Sequence, residues 1–288
     1  MFTTGEAIGV VGTGLMGTAI VERLLAAGFR VLGFDRDGAR LAASGAEEAS
    51  SVALVAGSCR GVVLSLPDSA VVEGVLEEMT GHLRDGTFIL DTSTGEPRDA
   101  DKFAQRLRSL GVAYLDATIS GSSEQVRRGE ALCMVGGCAT DYAQCAEVFR
   151  ALGGRVMHVG SSGTGAKMKL VTNLVLGLNR AALAEGLALA EAVGLDLLQT
   201  LEVLRSSAAY SRIMDSKGEK MITREFSPVA RLSQHLKDVR LIQHAGKAGG
   251  LQLPLTETHR QLLEQAEAAG LGAQDNSAII EVIRRKQS

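Results

Sequence analysis

From Glu6 to Val159 the chain alternates short, apolar, β-prone runs with stretches of helical periodicity, and beyond the glycines at 160 and 163 the strand-like runs stop. Parallel strands cannot be joined by tight hairpins. Each needs a crossover, usually a helix, that packs back on the sheet. The alternation therefore implies an α/β fold with a doubly wound, mostly parallel sheet, and the helical periodicity after Gly163 implies a differently built second half. A chain of 288 residues is long enough for two cores. The expected domains are 1–162, carrying the sheet, and 163–288, all-helical, joined by a long interdomain helix over Lys167–Ala192.

The first strand and helix, Glu6–Val11 and the stretch to about Ala27, are separated by Gly12-Thr13-Gly14-Leu15-Met16-Gly17. In this context the spacing is that of a Rossmann-like dinucleotide turn. Gly12 permits the turn, Gly14 lets a pyrophosphate approach the backbone, and Gly17 lets the helix pack on the strand. The phosphates would sit at the helix N-terminus, beside Leu15 and Met16, where unpaired N–H groups and the dipole favour an anion. The second strand, Arg30–Phe34, ends in Asp35-Arg36, at the distance expected of a ribose ligand. A carboxylate there favours NAD. The Arg36 guanidinium suits a 2′-phosphate, so NADP remains the alternative, and a plain strand-end turn remains the simpler reading of Asp35. Strands over Gly61–Leu66 and Thr87–Asp91 lead into Leu66-Pro67 and Thr94, on the sheet edge that would face the same cofactor unless they serve only as turns. The strand Val112–Asp116 leads into Ser120-Gly121-Ser122-Ser123, small residues whose N–H groups suit a carboxylate.

Several function classes are excluded. A net charge of −3 gives no electrostatic footprint for nucleic acid. No apolar run is long enough to cross a bilayer, and Met1–Gly5 lacks the basic and apolar segments of a secretory signal, so a cytoplasmic protein is expected. Cys59, Cys133, Cys138 and Cys145 lack metal-site spacing and read as free thiols in a reducing compartment, and the chemistry requires no metal.

The helix after Gly163 carries Lys167, Lys169 and Asn173 in an apolar setting. Lys169 and Asn173 are four residues apart and share a face, whereas Lys167 points roughly opposite. Arg180 falls on the same stripe about 16 Å along the axis and reads as structural. A helix apolar nearly all round is expected to be buried between domains or subunits.

The chain resembles the β-hydroxyacid dehydrogenase family, the group of 3-hydroxyisobutyrate dehydrogenase, tartronate semialdehyde reductase and the glyoxylate and succinic semialdehyde reductases. The likeness runs almost end to end. Its motifs are the glycine turn with Met16, Leu66-Pro67-Asp68, Asp91-Thr92-Ser93-Thr94, Asp116 to Gly121 with Met134 to Gly137, Gly163 to Asn173, and Lys237-Asp238. The resemblance implies hydride transfer between a nicotinamide and a small β-hydroxyacid or its semialdehyde. Lys169 would be the catalytic acid/base, Ser120 and Gly121, with Ser122 beside them, would hold the substrate carboxylate, Asn173 would position substrate and lysine, and Lys237 would touch the cofactor. The expected partner is a small carboxylate substrate, and the expected assembly a homodimer or homotetramer. Thr118, Ser122 and Thr172 depart from the family pattern around the substrate, as does Phe226 to Ala230 in the helical half. An imine reductase usually lacks the lysine, and a non-catalytic dinucleotide-binding relative would have lost it, so Lys169 weighs against both alternatives.

Overall fold

A computed structural model describes residues 6–284. Met1–Gly5, where no secretory signal is expected, and Arg285, the end of a helix that the sequence suggests over 275–285, lie outside the described residues. The chain divides into two compact units, Met1–Lys169 and Leu170–Ser288.

The first unit is built on eight strands: β1 (Ala7–Val11), β2 (Arg30–Phe34), β3 (Glu47–Glu48), β4 (Gly61–Leu64), β5 (Phe88–Asp91), β6 (Ala113–Ser120), β7 (Leu132–Gly136) and β8 (Arg155–Gly160). Their helices are α1 (Leu15–Ala26), α2 (Gly38–Ser44), α3 (Val52–Ser58), α4 (Ser69–Thr80), α5 (Pro97–Arg108), α6 (Ser123–Arg127), α7 (Ala139–Gln144) and α8 (Ala146–Leu152). The sheet order is β3-β2-β1-β4-β5-β6-β7-β8. The chain thus winds outward in both directions from β1 and β4. That reversal leaves a crevice at their carboxyl ends.

Successive strand residues point to opposite faces, so one run supplies two cores. Val63, Leu90 and Leu115 join Ile20 and Leu24 of α1 on one side. Val62, Leu64 and Ile89 join Val55, Leu76, Met79 and Leu107 of α3, α4 and α5 on the other. Truncating a fully buried member such as Leu24 to alanine would cost about 2–5 kcal/mol. Cys59, Cys133 and Cys145 are buried free thiols; burial pushes Cys59 up to about 11 and the other two to about 12.

The strand-like run that the sequence shows over Ala131–Val135 forms β7, and it runs antiparallel to β6. The five-residue α6 between them is too short for a crossover, so the chain must turn back. All other pairings are parallel.

The long helix α9 (Thr164–Ala192) begins in the first unit and continues into the second. There it is followed by α10 (Leu197–Ser206), α11 (Ile213–Thr223), α12 (Leu232–Ala248), α13 (Pro254–Ala266) and α14 (Ile280–Ile283). Leu183, Leu187, Leu201, Met221, Leu236, Leu263 and Ile280 form the core of that unit. Among the described residues no helix is long and apolar enough to cross a membrane.

Candidate active site

The glycines of the first turn separate by what surrounds them. Gly12 has φ +91°, and a Cβ there would overlap the Ser65 carbonyl oxygen; a Cβ at Gly17 would overlap the Gly12 carbonyl. Both positions are closed. A Cβ at Gly14 would meet nothing within 4 Å, so this residue opens onto free space at the start of α1, where it is the N-cap and no side chain caps the helix. Free backbone donors beside an open glycine fit a pyrophosphate. Leu15 is exposed at the same helix end, and Met16 is partly buried against the core.

Asp35 faces this turn. Its Oδ2 accepts hydrogen bonds from the Thr13 N–H (2.6 Å) and hydroxyl (3.2 Å), and its Oδ1 accepts one from the Asp37 N–H (2.9 Å). The carboxylate is thereby fixed next to the phosphate cradle with acceptor capacity to spare on Oδ1. Arg36 is exposed beside it.

At the ends of β4 and β5 the loops are stitched to one another. Leu66 N–H donates to Ser93 Oγ (2.9 Å), the Thr92 hydroxyl donates to the Leu64 carbonyl (2.7 Å), and Ser93 N–H donates to Asp91 Oδ1 (2.9 Å). The Tyr114 hydroxyl closes the chain on Asp91 Oδ2 at 2.6 Å. Burial raises the pKa of Asp91 against the pull of these hydrogen bonds, and burial beside Asp91 pushes the Tyr114 phenol up strongly. The network holds Leu66, Pro67 and Thr94 at the crevice edge. Ser93 and Tyr114 were not singled out in the sequence, since their partners lie 27 and 23 residues away.

Strand β6 anchors the start of α9. Asp116 Oδ1 accepts from the Gly163 N–H (2.9 Å) and Oδ2 from the Ala166 N–H (2.8 Å), a remote substitute for a helix N-cap. Burial raises the pKa of Asp116, and the backbone hydrogen bonds oppose that rise. The Thr118 hydroxyl donates to the Gly165 carbonyl (2.9 Å). A side chain at Gly165 would overlap the Asp116 carbonyl, which is why the helix opens on glycines. The consequence is a fixed Lys169: its Nζ donates to the Ile119 carbonyl at 2.7 Å, one residue before Ser120. Lys167, two residues back, is exposed.

After Ser120 the chain passes through Gly121, at φ +145°, into α6. Ser122 caps that helix: its Oγ accepts from Gln125 N–H (3.2 Å), and its own N–H donates to Gln125 Oε1 (2.8 Å). Its polar groups are therefore committed to the capping box, and the N–H groups proposed for a carboxylate reduce to those before it. The Ser-x-x-Gln spacing was visible in the sequence as a capping signal.

In the helical unit Asn173 is buried, and its Nδ2 donates to Asp238 Oδ2 at 3.0 Å. Lys237 Nζ lies 3.5 Å from Asp238 Oδ1. The Lys-Asp pair on α12 thus meets the asparagine of α9. Asn173 lies one helical turn after Lys169 on the same continuous helix.

Comparison with known proteins agrees with this layout. Residues 7–160 match the NAD binding domain of 6-phosphogluconate dehydrogenase, and residues 163–283 match the NAD-binding domain of NADP-dependent 3-hydroxyisobutyrate dehydrogenase. The chain is similar to the 2-(hydroxymethyl)glutarate dehydrogenase of Eubacterium barkeri, at 34% identity over 96% of this chain and 94% of that protein. It is 31% identical to the 2-hydroxy-3-oxopropionate reductase of Escherichia coli over 96% of each. The solved structure of a 3-hydroxyisobutyrate dehydrogenase from Salmonella typhimurium superposes with a TM-score of 0.88, at 28% identity, over 96% of this chain and 99% of that one. With both halves matched in order and relatives aligned along nearly their whole length, the chain belongs to the β-hydroxyacid dehydrogenase family.

Proposed function

We propose that this protein transfers hydride between NAD(P) and a small β-hydroxyacid or the corresponding semialdehyde, with Lys169 as the general acid/base. The observation that carries the proposal is the hydrogen bond from Lys169 Nζ to the Ile119 carbonyl, which holds an ammonium at the mouth of the Ser120-Gly121 turn. The nicotinamide, when bound, supplies the hydride chemistry. The chain supplies the rest. Lys169 gives a proton to the substrate oxygen as an aldehyde is reduced and removes it as the alcohol is oxidised. Backbone N–H groups at Ser120 and Gly121 hold the substrate carboxylate, and Ser122 shapes the turn by capping α6. Asn173, its amide N–H already given to Asp238, turns its carbonyl oxygen to the substrate hydroxyl. Lys237 adds positive charge for the cofactor. Gly12, Gly14, Leu15, Met16 and Gly17 form the pyrophosphate cradle, and Leu66, Pro67 and Thr94 flank it.

Asp35 supports NAD over NADP, because an immobilised carboxylate repels a 2′-phosphate, and Arg36 stacks on or beside the adenine. Residues 1–162 serve the dinucleotide, and 163–288 serve substrate binding and oligomerisation. Met168, Val171, Val175 and Leu189 recur at helical spacing on α9, with Val193 just beyond its end, and are between 41% and 63% exposed, an apolar stripe suited to a second copy in a homodimer or homotetramer. Buried free thiols accord with a cytoplasmic location.

The test is a screen of small aldehydes and hydroxyacids with reduced and oxidised NAD and NADP, followed by nucleotide absorbance. Turnover is expected with NAD and at least one β-hydroxyacid. Silence across the panel overturns the proposal. Gel filtration checks the assembly, and a monomer contradicts it.

A further inference from the structure

Strand β6 divides its residues by face. The side chains of Leu115, Ala117 and Ile119 enter the core shared with α1, so those of Asp116, Thr118 and Ser120 point the other way, in one row. The start of α9 lies along that row. Asp116 takes the Gly163 and Ala166 N–H groups, Thr118 takes the Gly165 carbonyl, and the Ile119 carbonyl takes Lys169 Nζ. The backbones approach so closely that a Cβ on Gly165 would come within 2.3 Å of the Asp116 carbonyl oxygen and 2.7 Å of that of Met134. All of these residues belong to the sheet-bearing unit, Met1–Lys169.

Thr118 differs from Asp116 in what it holds. Asp116 satisfies main-chain donors that any helix start leaves open. The Gly165 carbonyl is not open: in α-helical geometry it already accepts the main-chain N–H of Lys169, four residues on. The Thr118 hydroxyl adds a second bond to the acceptor that sets the backbone of the lysine itself. A hydroxyl has one proton to give, and the two carbonyls in reach are Gly165 at 2.9 Å and Met134, the cross-strand partner on β7, at 3.3 Å. The shorter contact takes the proton. Thr118 is 1% exposed, so water does not compete for it. Without this hydroxyl no main-chain group would be left unpaired, so what it contributes is placement rather than satisfaction.

We propose that Thr118 is a positioning residue for proton transfer: through Gly165 its hydroxyl fixes the backbone of Lys169, and so fixes where the ammonium rests against Ile119, one residue before the Ser120-Gly121 turn. This rests on the dehydrogenase reading above, and it gives a part to a residue at which the chain departs from the family pattern. Strand β6 then keeps the proton donor and the carboxylate turn in register by itself. A displacement of the ammonium by about 1 Å would cost about 100-fold in rate and leave the nucleotide turn at Gly12 to Gly17 untouched.

The experiment compares Thr118→Val, which keeps the shape and loses the hydroxyl, with Thr118→Ser, which keeps the hydroxyl. Rates are taken with the best substrate of the screen and divided by the number of nucleotide sites counted by NADH fluorescence, so that unfolded protein does not enter. Per site, Thr118→Val should lower kcat by about 10- to 100-fold with the KM for NADH within about twofold, and Thr118→Ser should recover most of the rate. A per-site kcat within twofold of the intact protein, a matching rise in the KM for NADH, or no recovery with serine overturns the inference. Lysine acetylation by acetic anhydride, read by mass spectrometry with both variants folded by circular dichroism, follows Lys169 without turnover. Thr118→Val should raise the labelling of the half-buried Lys169 relative to the exposed Lys167 by about fivefold, and Thr118→Ser should reverse the rise. If no substrate turns over, the dehydrogenase reading fails and the labelling decides alone: an unchanged ratio in Thr118→Val overturns the inference.

Discussion

The two units handle buried carboxylates differently. In the sheet-bearing unit the buried Asp91 and Asp116, like the half-buried Asp35, are met by backbone N–H groups and hydroxyls, without a lysine or arginine in hydrogen-bond contact. In the helical unit Asp275 and Asp238 are each met by a lysine as well as by neutral donors, main-chain N–H groups for Asp275 and the Asn173 amide for Asp238. The difference follows from the secondary structure. Strand ends and helix starts leave main-chain donors unused, and a dinucleotide site is assembled from such leftovers. Helix interiors offer fewer such donors, and in the helical unit lysine charges join those that are present.

The contrast can be broken most sharply at Lys169, the cation that the first unit does hold, on a carbonyl. Lys169→Ala should lower kcat by about 1,000-fold or more with NADH affinity nearly intact, whereas Lys167→Ala should stay within about twofold. Steady-state kinetics with a fluorescence titration of nucleotide checks both. A dead Lys167 variant would mean that the helical register has been misassigned.

Next comes the buried pair. Asp275→Ala leaves Lys217 charged and alone and should cost about 3–5 kcal/mol by denaturant unfolding at neutral pH. Burial alone would raise the Asp275 carboxyl, but the Lys217 charge and hydrogen bonds overcome it and hold the pKa at about 2 rather than 3.8. Because the folded value is the lower one, the stabilisation, about 2 kcal/mol, is complete above the ordinary value and is lost as pH falls toward 2. Asp91 and Asp116 are raised instead, so acid relieves a strain there rather than adding one. The penalty of Asp275→Ala should therefore shrink between about pH 4 and 2; a constant penalty would place the effect in packing rather than charge.

Smaller effects sharpen the picture within the first unit. Gly17→Ala sets a methyl against a backbone carbonyl and should cost about 2 kcal/mol of stability. Gly14→Ala meets nothing in the protein and should leave the melting temperature almost unchanged while weakening nucleotide binding. Equal melting losses would show that both glycines serve packing alone. Last, Asp35→Ala should raise the KM for NADH about tenfold and that for NADPH less. An unchanged NADH to NADPH ratio would mean that the carboxylate serves only Thr13 and Asp37.

What the sequence disclosed follows the same division. Gly12, Gly14 and Gly17 were legible because strand, turn and helix are neighbours along the chain, and the helical period put Lys169 and Lys167 on roughly opposite faces. The remote cap of α9 by Asp116 was not, since its partners lie 47 and 50 residues on, and spacing carries no signal over that range. Nor was the reversal at β7, which depends on the shortness of α6. Arg180 was read from its spacing as structural. That its buried Nε and Nη1 lack a hydrogen-bond partner could be seen only once Asp275 was found crowded with other donors.

That crowding sets an order of events during synthesis. Lys217 and Val229 wait for an aspartate 58 and 46 residues downstream, and Ala278, Ile279 and Ile280, just beyond it, complete the same core. The sheet-bearing unit ends at Lys169, so all its partners have emerged and it can close while the helical unit is still being made. Until Asp275 emerges, the helical segment lacks both the carboxylate partner of Lys217 and the core residues that follow it, so this unit can close only when nearly the whole chain has been made.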